Sequence, residues 1–418
     1  MTDSRSTDAG STDATSPDVT PRDLSFDAAI AFAQELIRTP GAPGAEGDVA
    51  ARVMRELIAL GFHHVRSDEV GNVIGVATGR GERPPVMLSS HLDVVDVGEA
   101  DSWEYGPFDA DIADGHLHGR GAMDIKGPLA LQTYAAAHFV REPGAGDVIV
   151  AHTVLEERGG WGMAHLISSG ALLPGAVIIG ESTGGDVCIG HRGRAELIIE
   201  IAGVAGHASA PERARNPLHG MPAVIAALHS FSGTLETHEL LGPSTAAPTT
   251  VETLPRSRNV IPDRARIVLD WRVLPDMLPD EALDRLRAYL DEHVAPALPE
   301  GLSIDVRYAT ECQRTGTGRE DDRRLFTSGF LLGAAHLGAR AAARSITKST
   351  GRAPAVRPWT FATDCGHTCG IHGIPTIGFA PGEERYAHTN RERLELASAR
   401  VAYDAYPPLI RAVLESLG

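Results

Sequence analysis

Seven side chains, spread over most of the sequence, are of the types that bind divalent metal ions and carry out acid–base chemistry. Histidine supplies a neutral nitrogen ligand and a carboxylate supplies an anionic oxygen ligand, and zinc accepts both. In chain order the seven are His91, Asp93, Asp124, Glu156, Glu157, Glu181 and His388. They provide enough ligands for two cations and leave a carboxylate free to accept a proton. The set therefore predicts a two-metal hydrolase.

Predicted strands lead directly into several of these residues. The run 85–90 ends at His91, the run 147–155 ends at Glu156 and Glu157, and the run 176–180 ends at Glu181. Open α/β sheets place their ligands beyond the carboxyl ends of strands. We therefore expect one convergent site at the edge of a central sheet.

The residue types suggest different roles in metal binding and proton transfer for the side chains of this site. Asp124 lies in a glycine-rich stretch, and its two oxygens can bridge cations about 3.5–4 Å apart. Of Glu156 and Glu157, one can bind metal while the other takes a proton from water, and Asp93 can orient His91. Each residue also has a simpler interpretation: a chance surface motif, a capping aspartate, or charged residues that end a strand. The occurrence of all the pieces in order favours the metal site.

Composition and charge exclude several other classes of protein. The 418 residues are 43% hydrophobic, which suffices for a large core divided between at least two domains. A formal net charge of -17 argues against a nucleic-acid-binding protein. The four cysteines are few and unevenly spaced, which is typical of reduced thiols, and no apolar run is long enough for a membrane span. We expect a soluble, cytoplasmic enzyme.

The order of predicted elements indicates two domains after a tail. Residues 1–23 are predicted to form a disordered acidic tail, because they carry almost no apolar side chains. Residues 24–192 and 310–418 are predicted to form an α/β catalytic domain, a mixed central sheet flanked by helices. Residues 193–309 are predicted to form an inserted α+β domain with a ferredoxin-like βαββαβ order.

Hydrophobic periodicity gives the individual elements. The predicted helices cover residues 24–37, 49–60, 126–139, 217–230, 279–294, 321–338 and 397–417. The predicted strands cover residues 72–77, 85–90, 147–155, 176–180, 194–202, 265–273, 303–308 and 376–380.

Eight motifs together resemble those of the M20 metallopeptidase family, within it the enzymes related to acetylornithine deacetylase and succinyl-diaminopimelate desuccinylase. They are Ser90–Asp93, His118–Gly127, Glu156–Gly159, Gly180–Thr183, Gly203–Pro211, Asn259–Pro262, Asp270–Arg272 and His388–Glu392. The similarity extends from about residue 24 to residue 418. It implies a zinc-exopeptidase-like catalytic domain and an inserted lid domain through which two subunits dimerise.

The resemblance also implies the ligand set of a dinuclear metal centre. Asp124 would bridge two divalent metal ions, with zinc first in order and cobalt or manganese as substitutes. His91 and Glu181 would complete one site, and Glu157 and His388 would complete the other.

Further roles are implied for residues that do not bind metal. Glu156 would be the general base and later the proton donor, and Asp93 would support His91. His207 lies in a Gly-x-x-Gly-His loop, which in the family supplies an oxyanion-stabilising histidine to the neighbouring subunit. From its residue type alone, His207 would be read as a solvent-exposed loop histidine.

Substrate recognition is implied for three more positions. Arg272 matches an Asp-x-Arg position where a guanidinium can bind a substrate carboxylate; a strand arginine paired with an acidic neighbour is the alternative. Asn259 lies in a matching motif, and His191 stands where desuccinylases carry arginine. Cys365 and His367 lie in a loop that shapes the family's substrate pocket, where a structural role is favoured over a catalytic one.

These inferences predict a deacylase that cleaves the amide bond of an N-acyl amino acid or small peptide-like substrate through a metal-bridging hydroxide. An exopeptidase or dipeptidase, or an aminohydrolase acting on an unusual small molecule, is the alternative. A non-catalytic binding homologue would be expected to have lost ligands, whereas every position is filled. A third alternative, which the sequence leaves open, is a regulatory protein that binds a single metal ion.

Overall fold

The computed structural model describes residues 22–418, so most of the predicted tail over residues 1–23 lies outside the described residues. Two separate hydrophobic cores organise the described part. One is built from residues between Leu24 and Ile189 and between Phe330 and Leu414, and the other from residues between Ala195 and Tyr308. The chain thus leaves the first core, builds the second, and returns.

The first core surrounds a mixed sheet of eight strands. In spatial order the strands are His63–Ser67, Val73–Ala77, Val148–His152, Val86–Ser89, Ala176–Ile179, Thr376–Gly378, Val187–Cys188 and Val356–Arg357. Val86–Ser89 runs parallel to both of its neighbours. These three strands are buried along their whole length, as is typical of parallel strands covered on both faces.

Helices cover this sheet on both sides. They are α1 (Phe26–Ile37), α2 (Gly47–Ala59), α3 (Lys126–Arg141), α4 (Trp161–Ser168), α7 (Leu337–Thr350) and α8 (Leu396–Ser416), with α5 (Met221–Ser232) and α6 (Pro279–His293) in the other core. Almost every residue of α3 is buried, because α1 and α8 pack against it. Within residues 22–418, no helix is both long and apolar enough to cross a bilayer.

The second core lies between α5, α6 and an antiparallel sheet. Its strands are Thr245–Leu254, Arg264–Arg272, Arg194–Ala202 and Ser303–Tyr308 in spatial order, and Phe326–Thr327 pairs with the start of the third. Along the chain the order is βαββαβ, and in space the second, third, first and fourth strands are neighbours. This is the ferredoxin-like arrangement that the sequence predicts.

Short strand pairs and turns connect these layers. The pairs are Gly206–His207 with Val260–Ile261, Thr237–His238 with Gly242–Pro243, Thr310–Arg314 with Glu320–Arg324, and Gly190–His191 with Phe330–Leu331. A separate three-stranded sheet consists of Ile112–Ala113, His116–His118 and Arg393–Glu395. A π-helix spans Gly366–Ile371.

One predicted helix is wrong. Over residues 321–338 the structure has the strand Glu320–Arg324, two further short strands, and only the start of a helix, α7, which begins at Leu337. Glu320–Arg324 pairs in full register with the adjacent strand Thr310–Arg314, so pairing within this hairpin overrides the helical pattern. The strand Thr245–Leu254 has no counterpart among the predicted strands, because its exposed edge carries few apolar residues.

Candidate metal centre

The sheet brings several of the predicted ligands to one edge. His91 lies two residues beyond Val86–Ser89, and Glu181 lies two residues beyond its parallel neighbour Ala176–Ile179. His91 also forms a β-bridge with Thr153, which continues the third parallel strand. Parallel strands end at the same edge, so these side chains meet there.

Asp124 is shared by two groups of possible metal ligands. In the first group, His91 Nε2 lies 3.2 Å from Asp124 Oδ1 and 3.4 Å from Glu181 Oε1. In the second, His388 Nε2 lies 3.2 Å from Asp124 Oδ2 and 3.1 Å from Glu157 Oε1. Each oxygen of Asp124 therefore faces a different group.

These separations fit two bound metal ions. Ligands about 2.0–2.2 Å from a tetrahedral zinc ion stand roughly 3.4 Å from one another, close to the spacings within both groups. Imidazole and carboxylate ligands suit zinc and other first-row divalent metals. The residues thus fit a dinuclear centre in which Asp124 bridges.

In the absence of metal ions, the residues of the two groups hold protons and form hydrogen bonds with one another. Hydrogen bonds to Asp124 and Glu157 raise the pKa of His388 to about 10. Burial raises the pKa of Glu181 to about 7. Burial opposes ionisation of Asp124, but hydrogen bonds from His388 and His91 hold its pKa well below its ordinary value. Binding of metal ions would displace these protons.

His91 is oriented through the main chain of Asp93. The ring Nδ1 donates to the backbone carbonyl of Asp93 at 2.8 Å, whereas the nearest carboxylate oxygen lies 3.5 Å away. The two carboxylate oxygens instead accept the backbone amides of Glu156 and Glu157, each at 3.1 Å. Asp93 therefore orients a ligand and the neighbouring acidic pair at once.

Glu392 supports Asp124, a role for which the sequence analysis made no prediction. Its Oε1 accepts the amides of Met123 at 3.2 Å and Asp124 at 3.1 Å, and its Oε2 accepts from Arg120 at 2.5 Å. Glu392 is buried. Its place at the end of the His388–Glu392 motif was the available signal, but the partner lies 268 residues away in sequence.

A cavity of about 410 Å³ opens beside the metal centre. Glu156, Glu157 and His388 line it on one side. Arg272 and Arg194 line it as well, and both contact Asp270, at 2.7 Å and 2.8 Å. Arg272 thus pairs with an acidic neighbour, as the second interpretation from the sequence expects, and its place in the cavity lining leaves substrate binding a prediction.

Glu156 lines this cavity and belongs to neither group of possible ligands. Burial raises the pKa of Glu156 well above its ordinary value, and the nearby Glu181, Asp364 and Glu157 raise it further. A carboxyl group with a raised pKa is suited to accept a proton and then return it.

Three predicted residues of the described chain lie neither at the metal centre nor in the lining of the cavity. His191 is fully buried: its Nδ1 donates to the carbonyl of Arg192 and its Nε2 accepts the amide of Thr363, both at 3.1 Å. Direct substrate contact by His191 is thus not supported; it fixes the cavity wall at Thr363 instead. His207 and Asn259 are exposed on the second, ferredoxin-like unit.

The segment after Thr363 contributes residues that the sequence analysis left out or left open. Asp364 lines the cavity and accepts the hydroxyl hydrogen of Thr153 at 2.9 Å, and burial raises its pKa to about 7. His367 also lines the cavity, and its Nε2 donates to the carbonyl of Gly159 at 3.1 Å. Asp364 lies between predicted elements, where periodicity gives no signal.

Comparison with known proteins gives consistent results. The family model described as peptidase family M20/M25/M40 matches residues 87–412. Uncharacterized protein YgeY of Escherichia coli (strain K12) is 30% identical over 389 residues, which cover 90% of this chain and 93% of that protein. Succinyl-diaminopimelate desuccinylase of Caulobacter vibrioides is 28% identical over 401 residues, covering 94% of this chain and 97% of the relative.

Solved structures share the fold. The M20 family metallo-carboxypeptidase Sso-CP2 from Sulfolobus solfataricus superposes with a TM-score of 0.74 at 17% identity, covering 93% of this chain and all of that one. The Bacillus subtilis YXEP protein, a dinuclear metal-binding peptidase, gives 0.68 at 16% identity, covering 93% and 98%. With the matched family model and the paired ligand groups, these findings show that the chain belongs to peptidase family M20/M25/M40 and is a metal-dependent hydrolase of amide bonds.

Proposed function

We propose that the protein is a deacylase that cleaves the amide bond of an N-acyl amino acid or of a small peptide-like molecule. The observation that carries this proposal is the cavity that Glu156 lines together with Glu157 and His388 of one ligand group and with Arg194 and Arg272. Relatives named succinyl-diaminopimelate desuccinylase support an acyl group on the substrate.

The proposed metal ligands are His91, Asp124 and Glu181 for one ion and Asp124, Glu157 and His388 for the other. Two zinc ions, or cobalt or manganese in their place, would acidify a water molecule and polarise the substrate carbonyl. Asp124 separates the two positions by presenting one oxygen to each group.

Glu156 performs the proton transfers in this proposal. Its carboxylate takes the proton of the attacking water and gives it to the leaving nitrogen, so that the amide bond breaks to a carboxylic acid and an amine. Asp93 keeps Glu156 in place through the backbone amide of that residue.

The charges around the cavity favour a substrate with its own carboxylate. Arg272 presents a guanidinium that is only partly neutralised by Asp270, because Asp270 also pairs with Arg194. A guanidinium binds a carboxylate through two parallel hydrogen bonds. An N-acyl amino acid supplies such a carboxylate next to the amide that is cleaved.

We further propose a cytoplasmic homodimer. All four cysteines are unpaired, as is usual in a reducing compartment. His207 is exposed, and its Nδ1 accepts the amide of Ser209 at 3.1 Å, which leaves the other ring nitrogen facing outward. In the dimer, the partner subunit's His207 would stabilise the oxyanion, with Asn259 in the adjoining loop contacting substrate.

The proposal is tested with protein that is stripped of metal and reloaded with Zn²⁺, Co²⁺ or Mn²⁺. Activity is measured on N-acetyl, N-succinyl and N-formyl amino acids and on dipeptides, with Glu156→Gln as the control. Metal-restored deacylation that Glu156→Gln abolishes, with metal content unchanged, would support it. Cleavage of dipeptides alone would replace it with a dipeptidase.

A further inference from the structure

The loop that carries the proposed base and a proposed metal ligand is fixed by side chains from distant segments. We call residues 155–159 the base loop. Near its end, Gln313 Nε2 donates to the carbonyl of Arg158 at 2.5 Å, and His367 donates to the carbonyl of Gly159. The backbone of the loop is therefore bound from outside rather than by its own turns alone.

The three amides at the start of the base loop are bound by two buried carboxylates. Glu46 Oε1 accepts the amide of Leu155 at 3.1 Å, and the two oxygens of Asp93 accept the amides of Glu156 and Glu157. All three N–H groups thus point at carboxylates behind the loop. The side chains of Glu156 and Glu157 are left free to face the metal centre.

Leu155 needs such a restraint. Its φ of 55° lies in the left-handed region, which leucine adopts only when its surroundings impose it. The amide of Leu155 is bound by Glu46, and its side chain is buried in the first core. Loss of the hydrogen bond would release the residue that sets the direction of the chain just before Glu156.

The side chain of Glu46 binds the base loop and does not cap helix α2. It occupies the N-cap position of α2, yet its side chain makes no capping hydrogen bond there. Its Oε1 instead accepts from Gly44 at 2.9 Å as well as from Leu155, and only 1% of the residue is exposed. The buried carboxylate of Glu46 therefore binds the amide of Leu155 in the base loop and does not bind the N-terminal amides of its own helix.

We propose that Glu46 is a positioning residue, which fixes the amide of Leu155 and thereby orients Glu156 and Glu157 toward the metal centre. This inference rests on the proposed function for the roles of those two glutamates. The hydrogen bond itself spans 109 residues of sequence and joins the start of α2 to the base loop.

The test compares substitutions at Glu46 in the full chain. Glu46→Gln keeps an acceptor oxygen of the same reach, Glu46→Met keeps the length but has no oxygen acceptor, and Glu46→Asp keeps the charge but is too short to reach Leu155. Glu56→Met is the matched control, because Glu56 is equally buried on the same helix but binds Tyr134 and Arg52.

Three measurements are made on each variant: kcat and KM with zinc loaded, zinc content, and hydrogen exchange of the Leu155 amide in metal-free protein. For Glu46→Met and Glu46→Asp we expect kcat to fall about 10- to 100-fold with KM nearly unchanged, and the amide to exchange faster. Glu46→Gln is expected to resemble the wild type. Glu56→Met is expected to lower thermal stability without changing kcat or this amide.

Other outcomes would overturn the inference. Wild-type kcat and wild-type exchange in Glu46→Asp would show that the bond does not position the loop, and this variant decides the matter if Glu46→Met fails to fold. Equal losses in Glu46→Gln and Glu46→Met would assign the effect to charge. If the wild-type protein cleaves no substrate tested, the proposed function fails, while the exchange of Leu155 still decides the inference.

Discussion

Asp93→Asn separates the two tasks that the structure assigns to Asp93. The hydrogen bond from His91 is accepted by the backbone carbonyl of Asp93, so a change of the side chain does not remove it. The two side-chain oxygens, however, each accept one amide, from Glu156 and from Glu157. Asparagine has nearly the same shape but offers one acceptor and one donor, so one amide would face an N–H group in place of an oxygen.

The size of the effect follows from this lost acceptor. A hydrogen bond to a charged group contributes about 1.5–3 kcal/mol, and a buried amide without a partner costs about 1–3 kcal/mol. Asp93 is fully buried, so water does not compensate. We expect the free energy of unfolding to fall by about 2 kcal/mol. A similar loss of organisation in the transition state would lower kcat about 30-fold.

The assay measures urea unfolding of metal-free protein together with kcat and zinc content of the loaded enzyme. Glu56→Gln is the matched control, because Glu56 is also buried but binds Tyr134 and Arg52 rather than an amide of the loop. Unchanged unfolding and unchanged kcat in Asp93→Asn would refute the argument that these amide contacts position Glu156.

Three further predictions concern the ligands, the cavity and its wall. The pKa of about 10 for His388 means that zinc must displace a proton at neutral pH; apparent zinc affinity should therefore rise with pH between 6 and 8, and calorimetry showing no such rise would contradict the proposed ligand. Arg272→Lys should raise KM about tenfold for substrates that bear a carboxylate with little change in kcat, whereas an equal effect on substrates without one would exclude carboxylate binding. Gly160→Ala should destabilise the protein more than Gly159→Ala in thermal unfolding. Both glycines have positive φ, but only at Gly160 would an added Cβ lie 2.6 Å from Asp364 Oδ1. Equal melting temperatures of the two variants would contradict this close packing.

The proximity of the proposed ligands was predictable because these residues follow signals that are local in sequence. Buried strands are recognisable as apolar runs, and His91 and Glu181 follow such runs directly. Asp124 and His388 lie in motifs whose order matched the family. The parallel pairing that brings the strand ends together follows from general rules for α/β sheets.

The supporting roles of Glu46 and Glu392 were not predicted, because the partners of these residues are far away in sequence. Glu46 binds an amide 109 residues later, and Glu392 binds one 268 residues earlier. Nothing in a local pattern distinguishes a buried glutamate of this kind from an exposed one. The wrong helix over residues 321–338 has a different cause: Glu320–Arg324 pairs with the adjacent strand Thr310–Arg314 in a hairpin, and its charged, mostly exposed residues do not show the alternation of apolar and polar residues that identifies a strand.

The proposed base and the cavity wall at Thr363 are held by different side chains in this protein. The base loop is anchored by Glu46 and Asp93, which lie on its far side from the cavity. The cavity wall at Thr363 has an anchor of its own, the hydrogen bond from the amide of Thr363 to the buried His191, whereas His367 joins the wall to the base loop at Gly159. Substitutions near Thr363 are therefore expected to change which amide enters with less effect on the proposed base than substitutions at His367. Because a fold can host different functions when the residues of its site differ, we expect the cavity wall, rather than the metal centre, to set the choice of substrate.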